Sequence, residues 1–146
     1  MTINAAISLD SRFLTMLSDK KEKLSDDDIL LKIREGFPFS AFEDVRKKIN
    51  LSQKDLSGIL EISERTLSRR RATKRFNPVE SDRLYRVIRI LLYTESVFGD
   101  SEKAHTWLKR PNRSIGGKIP MNLLDTDLGT QQVEDVLKRI EHGIYS

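Results

Sequence analysis

The sequence predicts an all-α protein. Apolar residues recur at intervals of three and four along most of the 146 residues, Ser, Thr or Asn stands at the head of nearly every such run, and sustained strand-like alternation is missing. The amino-terminal Met1–Ser8 is expected to fray. Phe13, Leu14 and Leu17 then share one helical face, and Ser18–Lys23 forms a polar connector. Ser25 caps the next helix. Asp26, Asp27 and Asp28 load its positive end, Ile29, Leu30 and Ile33 form its stripe, and Gly36 with Pro38 stops it. Ser40 with Glu43 reads as a capping box opening a helix from Ala41 to Ile49, with Phe42, Val45 and Ile49 inward.

The stretch from Leu51 to Arg75 holds two short helices and a tight turn, the second helix heavily basic. Ser52 caps a helix from Gln53 to Leu60, and Ser63 caps one from Glu64 to about Ala72. Leu56, Ile59, Leu60, Ile62 and Leu67 bury one face of each against the other, leaving Arg65, Ser68 and Arg69 outward. Helices below roughly 12–15 residues are marginal in water, so the flanking chain must complete this core. Asn77, Pro78 and Glu80 open the longest helix, with Leu84, Val87, Ile88, Leu91 and Leu92 as its stripe and Phe98-Gly99 as its end. Ser101 caps a helix from Glu102 to Lys109 carrying Ala104, Trp107 and Leu108, with Trp107 read as core. A loop from Pro111 to Pro120 follows, then one turn at Met121–Leu124. A break at Asp125–Gly129 precedes Thr130, which caps a last helix from Gln131 to His142 with Val133, Val136, Leu137 and Ile140 inward. These elements divide into residues 1–36, 37–99 and 100–146.

Composition excludes several classes of function. The chain has no cysteine, hence no disulfide, thiolate metal site or thiol nucleophile. No apolar run approaches the roughly 20 residues that span a bilayer, and the first residues lack the pattern of a signal peptide, so a cytoplasmic location is expected. Gly116-Gly117-Lys118 is not a phosphate loop, because Asn112 holds the upstream glycine position and no Ser or Thr follows Lys118. His105 and His142 are distant in sequence and read as surface residues. The Asp26–Asp28 run reads as a helix start, so no metal, cofactor or catalytic residue is expected and the chain is not expected to be an enzyme.

The net charge of +4 matters less than its clustering. Arg65, Arg69, Arg70, Arg71, Lys74 and Arg75 fall within eleven residues that contain no acid, the footprint of a polyphosphate partner. In a helix-turn-helix the second helix enters the major groove. Ser63, Arg65, Ser68 and Arg69 are therefore candidates for base edges, with arginine to guanine the expected specific contact, and Thr66 is a further DNA-binding candidate. Arg70, Arg71, Lys74 and Arg75 are assigned to phosphates, and Gln53 to a phosphate at its helix start.

Leu51-Ser52-Gln53 and the pair of helices resemble the Cro/repressor (Xre) class, with two departures: Glu61 stands where the turn usually has a left-handed glycine, and Arg70 occupies a commonly apolar position. Ala104-His105-Thr106-Trp107-Leu108, Pro111-Asn112, Gly116-Gly117, Pro120, Leu123-Leu124, Thr126, Gly129 and Val133 through Gly143 resemble the carboxy-terminal domain of the MbcA/ParS/Xre antitoxins. The resemblance spans residues 36 to 146. It implies an antitoxin that silences a RES-domain, NAD-consuming toxin and represses its own operon as a homodimer on palindromic duplex DNA. It also implies that the chain's end covers the toxin's cleft, with Arg139, Glu141, His142, Ile144, Tyr145 and Ser146 as candidates. The alternative is a stand-alone helix-turn-helix regulator whose carboxy-terminal domain senses a small molecule.

Overall fold

The computed structural model describes residues 24–143. Among these it contains seven α-helices and no strand: α1 (Asp26–Glu35), α2 (Phe39–Lys48), α3 (Gln53–Ile59), α4 (Glu64–Thr73), α5 (Pro78–Phe98), α6 (Ser101–Leu108) and α7 (Asp127–His142). Two 3-10 turns, Arg113–Ile115 and Pro120–Leu123, lie between α6 and α7. The expected helix around Phe13, Leu14 and Leu17 lies outside the described residues, as do Ile144, Tyr145 and Ser146. No helix is long and apolar enough to cross a membrane among the described residues.

The chain divides into two compact units, one ending at Tyr85 and the other starting at Arg86. The division falls inside α5, whereas the succession of elements read from the sequence sets a boundary after residue 99. A helix of 21 residues carries the chain from one core to the next, and nothing in its sequence interrupts the helical pattern at Tyr85.

In the first unit, Phe37, Phe42, Val45, Ile49, Leu56, Leu60, Leu67, Phe76 and Leu84 are almost wholly buried. Phe39 stacks on Phe42 and Phe76 at ring-centroid distances of 5.5 and 5.4 Å. The segment before α2 is tied to the segment after α4: Phe39 N donates to Lys74 O at 3.0 Å and Phe76 N to Phe37 O at 2.9 Å. Gly36 permits that approach, since it has φ +95° and a Cβ there would sit 2.2 Å from Phe76 O. These bonds correct the expected start of α2. Its N-cap is Pro38, which offers no side-chain bond, and Ser40 lies inside the helix. The carbonyl of Lys74 takes the role that a capping side chain has elsewhere.

Ser25, Ser52 and Ser63 cap α1, α3 and α4 as expected, accepting from Asp28 N, Asp55 N and Thr66 N. Asn77 and Glu80 form a reciprocal box at the head of α5, with bonds of 2.8 and 3.0 Å. The α1 stripe is narrower than expected, because Ile29 is buried while Leu30 is 43% exposed.

In the second unit, Val87, Ile88, Ile90 and Leu91 of α5 are fully buried together with Ala104, Leu108, Val133 and Leu137. Leu92 is only half-buried, and the buried stripe swings instead toward Ile90 and Thr94. Thr94 tolerates burial because its hydroxyl donates to Ile90 O at 2.6 Å. Two further helix starts differ from the sequence expectation. Asp100 caps α6, and Ser101 is its first residue. Helix α7 begins at Asp127 with Thr126 as its cap, accepting from Gly129 N, while Thr130 is buried one turn inside. Gly129 thus belongs to the helix. A Cβ on it would lie 2.1 Å from Leu123 O, so the absent side chain lets α7 lie against the preceding 3-10 turn.

Candidate nucleic-acid interface and carboxy-terminal surface

Helix α4 turns a single apolar side chain, Leu67, fully inward. Ser63, Glu64, Arg65, Ser68, Arg69, Ala72 and Thr73 are exposed, and Thr66 is half-buried. At helical spacing, Arg65, Ser68 and Arg69 therefore form one outward ridge. The turn that precedes it is tight: Glu61 N donates to Gly58 O at 3.1 Å and Ile62 N to Ser57 O at 2.9 Å. Glu61 itself is left-handed, with φ 56°. The turn keeps the geometry for which glycine is usual and carries the strain of a Cβ. Glu61→Gly is expected to raise the unfolding free energy by roughly 0.5–1 kcal/mol. An upward shift of the urea midpoint at unchanged slope would show it.

The basic cluster separates into two kinds of cation. Arg65 and Arg69 are exposed on the ridge and Lys74 on the left-handed C-cap of α4 (φ 67°). The other three make contacts within the unit, Arg71 and Arg75 while themselves exposed and Arg70 half-buried. Arg70 grips Glu80 through two bonds, Nε to Oε1 at 2.7 Å and Nη2 to Oε2 at 3.1 Å, with side chains only 19% and 9% exposed. Arg71 lies 5.0 Å over the Phe39 ring. Arg75 Nη1 donates to Gly36 O at 2.5 Å. Arg70, expected at a phosphate, thus has a structural partner in Glu80, which also explains how an arginine sits at a commonly apolar position. Glu80 was legible as an acid in a helix's first turn, but nothing local marked it as the partner of a residue ten positions earlier.

Two polar candidates are likewise occupied. The Ser63 hydroxyl caps α4 and donates to Thr66 Oγ1 at 3.1 Å. Gln53 Nε2 lies 3.5 Å from Glu43 Oε2, a long contact, while Glu43 Oε1 accepts from Arg46 at 2.8 Å.

In the second unit, α7 is pinned by polar contacts from α5. Arg89 pairs with Glu134, and Arg86 Nε donates to Leu124 O at 3.1 Å. Tyr93 OH donates to Glu141 Oε1 at 2.8 Å. Burial, the Glu141 hydrogen bond and the charges of Glu141 and Glu134 push the Tyr93 phenol up to about 12. A raised folded value stabilises the protonated form. That stability is complete below the usual phenol range near 10 and is lost as pH rises toward 12. Tyr93→Phe should therefore remove part of the alkaline unfolding between pH 10 and 12, followed by circular dichroism.

Arg139, Glu141 and His142 are exposed near the end of α7, and Arg139 lines a polar concavity with Lys118, Gln132 and Asp135. His105, expected at the surface, is instead largely buried with Nε2 2.7 Å from Glu95 Oε2. Trp107 is half-buried: it tilts against Phe98 at 5.7 Å and forms the wall of a concavity of about 590 Å³. The loop after it closes through Asn112 N to Lys118 O at 2.9 Å, with Gly116 and Gly117 at φ 71° and 78°, so the glycine pair makes a bend as expected.

The fold and its exposed cationic ridge define a helix-turn-helix protein with a second helical unit of its own. Residues 28–89 match the antitoxin Xre-like helix-turn-helix domain, and residues 94–143 match the antitoxin Xre/MbcA/ParS carboxy-terminal toxin-binding domain. Relatives named antitoxin Xre include one from Photorhabdus laumondii, 35% identical over 78% of both chains. Another, from Pseudomonas putida, is 35% identical over 89% of this chain and 81% of its own; one from Yersinia enterocolitica is 33% identical over 78% of both. The chain belongs to the Xre antitoxin family of type II toxin–antitoxin systems.

Proposed function

We propose that this antitoxin neutralises a RES-domain, NAD-consuming toxin and represses its own operon. The carboxy-terminal end carries the first activity: Arg139, Glu141, His142 and the following Ile144, Tyr145 and Ser146 cover the toxin's cleft. Helix α4 carries the second, with Arg65, Ser68 and Arg69 reading base edges in the major groove and Lys74 contacting phosphate. Two copies sit on a palindromic operator whose half-site centres are about 34 Å apart. NAD is consumed by the partner, and this chain contributes no catalytic group.

The observation that supports this reading best is the separation of the two exposed surfaces. The cationic ridge belongs to the unit that ends at Tyr85, and the Arg139–His142 face to the unit that starts at Arg86. Each can be altered without touching the core of the other. The experiment is co-expression with a RES-domain toxin from the same genome, co-purification, and NAD consumption by the toxin with and without this chain. Neutralisation predicts a stable complex and suppressed NAD loss. A toxin that stays fully active in excess antitoxin refutes the reading.

A further inference from the structure

The concavity of about 590 Å³ beside α6 is lined by none of the residues assigned to DNA or toxin. Its volume lies within the roughly 300–1,000 Å³ of small-molecule sites. Lys103, Thr106, Trp107 and Arg110 line it at the spacing i, i+3, i+4, i+7, so α6 and its exit present one stripe: cation, hydroxyl, indole, cation. Phe98 and Pro111 extend the apolar wall.

Two features set this wall apart from an ordinary helix face. Trp107 is half-buried although Ala104 and Leu108 are fully buried, so the largest side chain of α6 is left in contact with solvent. Its ring tilts against Phe98, but among the described residues no hydrogen bond engages its N–H. Lys103 and Arg110 are both exposed, and neither has an ion pair or side-chain hydrogen bond among the described residues. Glu102 is the single acid lining the concavity, which leaves a net positive charge around the ring.

An aromatic platform flanked by free cations takes a planar ring that carries an anionic group. Lys103 stands one turn, about 6 Å, from Trp107 along α6, close enough to reach a phosphate joined to the stacked ring through a sugar. We propose that this concavity binds a nucleotide, with the base stacked on the Trp107 indole and the phosphate held by Lys103 and Arg110. The Thr106 hydroxyl and the indole N–H are left for the sugar and the base edge. A nucleotide brings ring and anion in one molecule, whereas a protein partner needs two side chains to match them. The site is a property of the free chain and goes beyond the proposed neutralisation and repression.

Trp107 is the only tryptophan in the sequence, so its emission reports the site directly. The full chain, without DNA or toxin, is titrated with adenosine monophosphate, with adenosine and with inorganic phosphate. Adenosine monophosphate should quench the indole saturably, adenosine should bind about ten-fold more weakly or worse, and phosphate alone should leave the emission unchanged. Lys103→Ala combined with Arg110→Ala should weaken adenosine monophosphate by about ten-fold or more and leave adenosine little changed. Both side chains are exposed, so circular dichroism and the unfolding midpoint of the double variant should match wild type. Absence of saturable quenching by adenosine monophosphate overturns the proposal. So does equal affinity for adenosine and its monophosphate, and so does a folded double variant that binds the nucleotide as wild type does. An indole that responds to the toxin and not to the nucleotide assigns the concavity to the protein partner and overturns it too. Operator and toxin assays are not needed for the titrations, so failure here leaves the proposed function standing.

Discussion

Arg70→Ala is expected to destabilise the amino-terminal unit by about 2–3 kcal/mol, enough to lower its thermal midpoint by roughly 10–20 °C. The substitution removes both bonds that the guanidinium makes to Glu80 and leaves a carboxylate whose residue is only 7% exposed. The cost stays below that of a fully buried pair because Glu80 keeps its bond from Asn77 N at 3.0 Å and because Arg70 itself is 19% exposed. Pairing the change with Glu80→Gln, which retains the capping box but not the charge, should recover a sizeable part of the loss. Denaturant titration of the two single variants and the double variant gives the coupling. If Arg70→Ala is as stable as wild type, the pair is superficial and Arg70 is available to phosphate after all. A second observable separates the two roles. At a temperature where the variant is fully folded, the salt dependence of DNA binding should be unchanged, because no phosphate contact has been lost.

This arginine shows where sequence reading reaches its range. Periodicity identified every helix after Ser25, because burial of a helix face is a local pattern that repeats every three or four residues. Capping was legible where a single candidate side chain stood before the run, as at Ser25, Ser52, Ser63 and Asn77. It failed where candidates competed or where the partner came from far along the chain. Asp100 and Ser101 are adjacent, and the carboxylate caps α6. Thr126 and Thr130 lie one turn apart, and Gly129 between them looked like a stop because its role is set by the carbonyl of Leu123 against it. At Pro38 the cap is the Lys74 carbonyl, 36 positions away. No window of sequence contains that information.

The candidate site was legible to a similar depth. The cationic run from Arg65 to Arg75 and its place in a helix-turn-helix could be read directly, because charge density and motif are both local. Which cations have partners within the unit could not. Three of the six are drawn into contacts with Glu80, the Phe39 ring and the Gly36 carbonyl, all of which require the folded unit. The pairing of Tyr93 with Glu141 and of Arg89 with Glu134 is hidden for the same reason, each spanning more than forty residues.

Replacing Arg65 and Arg69 together by alanine is expected to lower affinity for the operator by roughly 30- to 10⁴-fold, taking about 1–3 kcal/mol for each arginine–guanine contact. Both side chains are exposed on α4 without a part in the core, so the unfolding midpoint should move little. Lys74→Ala provides the contrast. A cation at the C-cap of α4 that contacts phosphate contributes to every sequence alike, so its loss should weaken operator and random duplex by the same factor and reduce the slope of log affinity against log salt by about 0.9. Fluorescence anisotropy with both duplexes over a range of salt distinguishes these outcomes. If the double arginine variant loses random-duplex binding as strongly as operator binding, the ridge holds phosphates and sequence is read elsewhere. The same double variant should still suppress NAD consumption by the toxin, because the Arg139–His142 face lies in the other unit. Loss of both activities in a protein with unchanged helicity would mean that neutralisation depends on the helix-turn-helix, and the assignment of the two activities to separate units would fail.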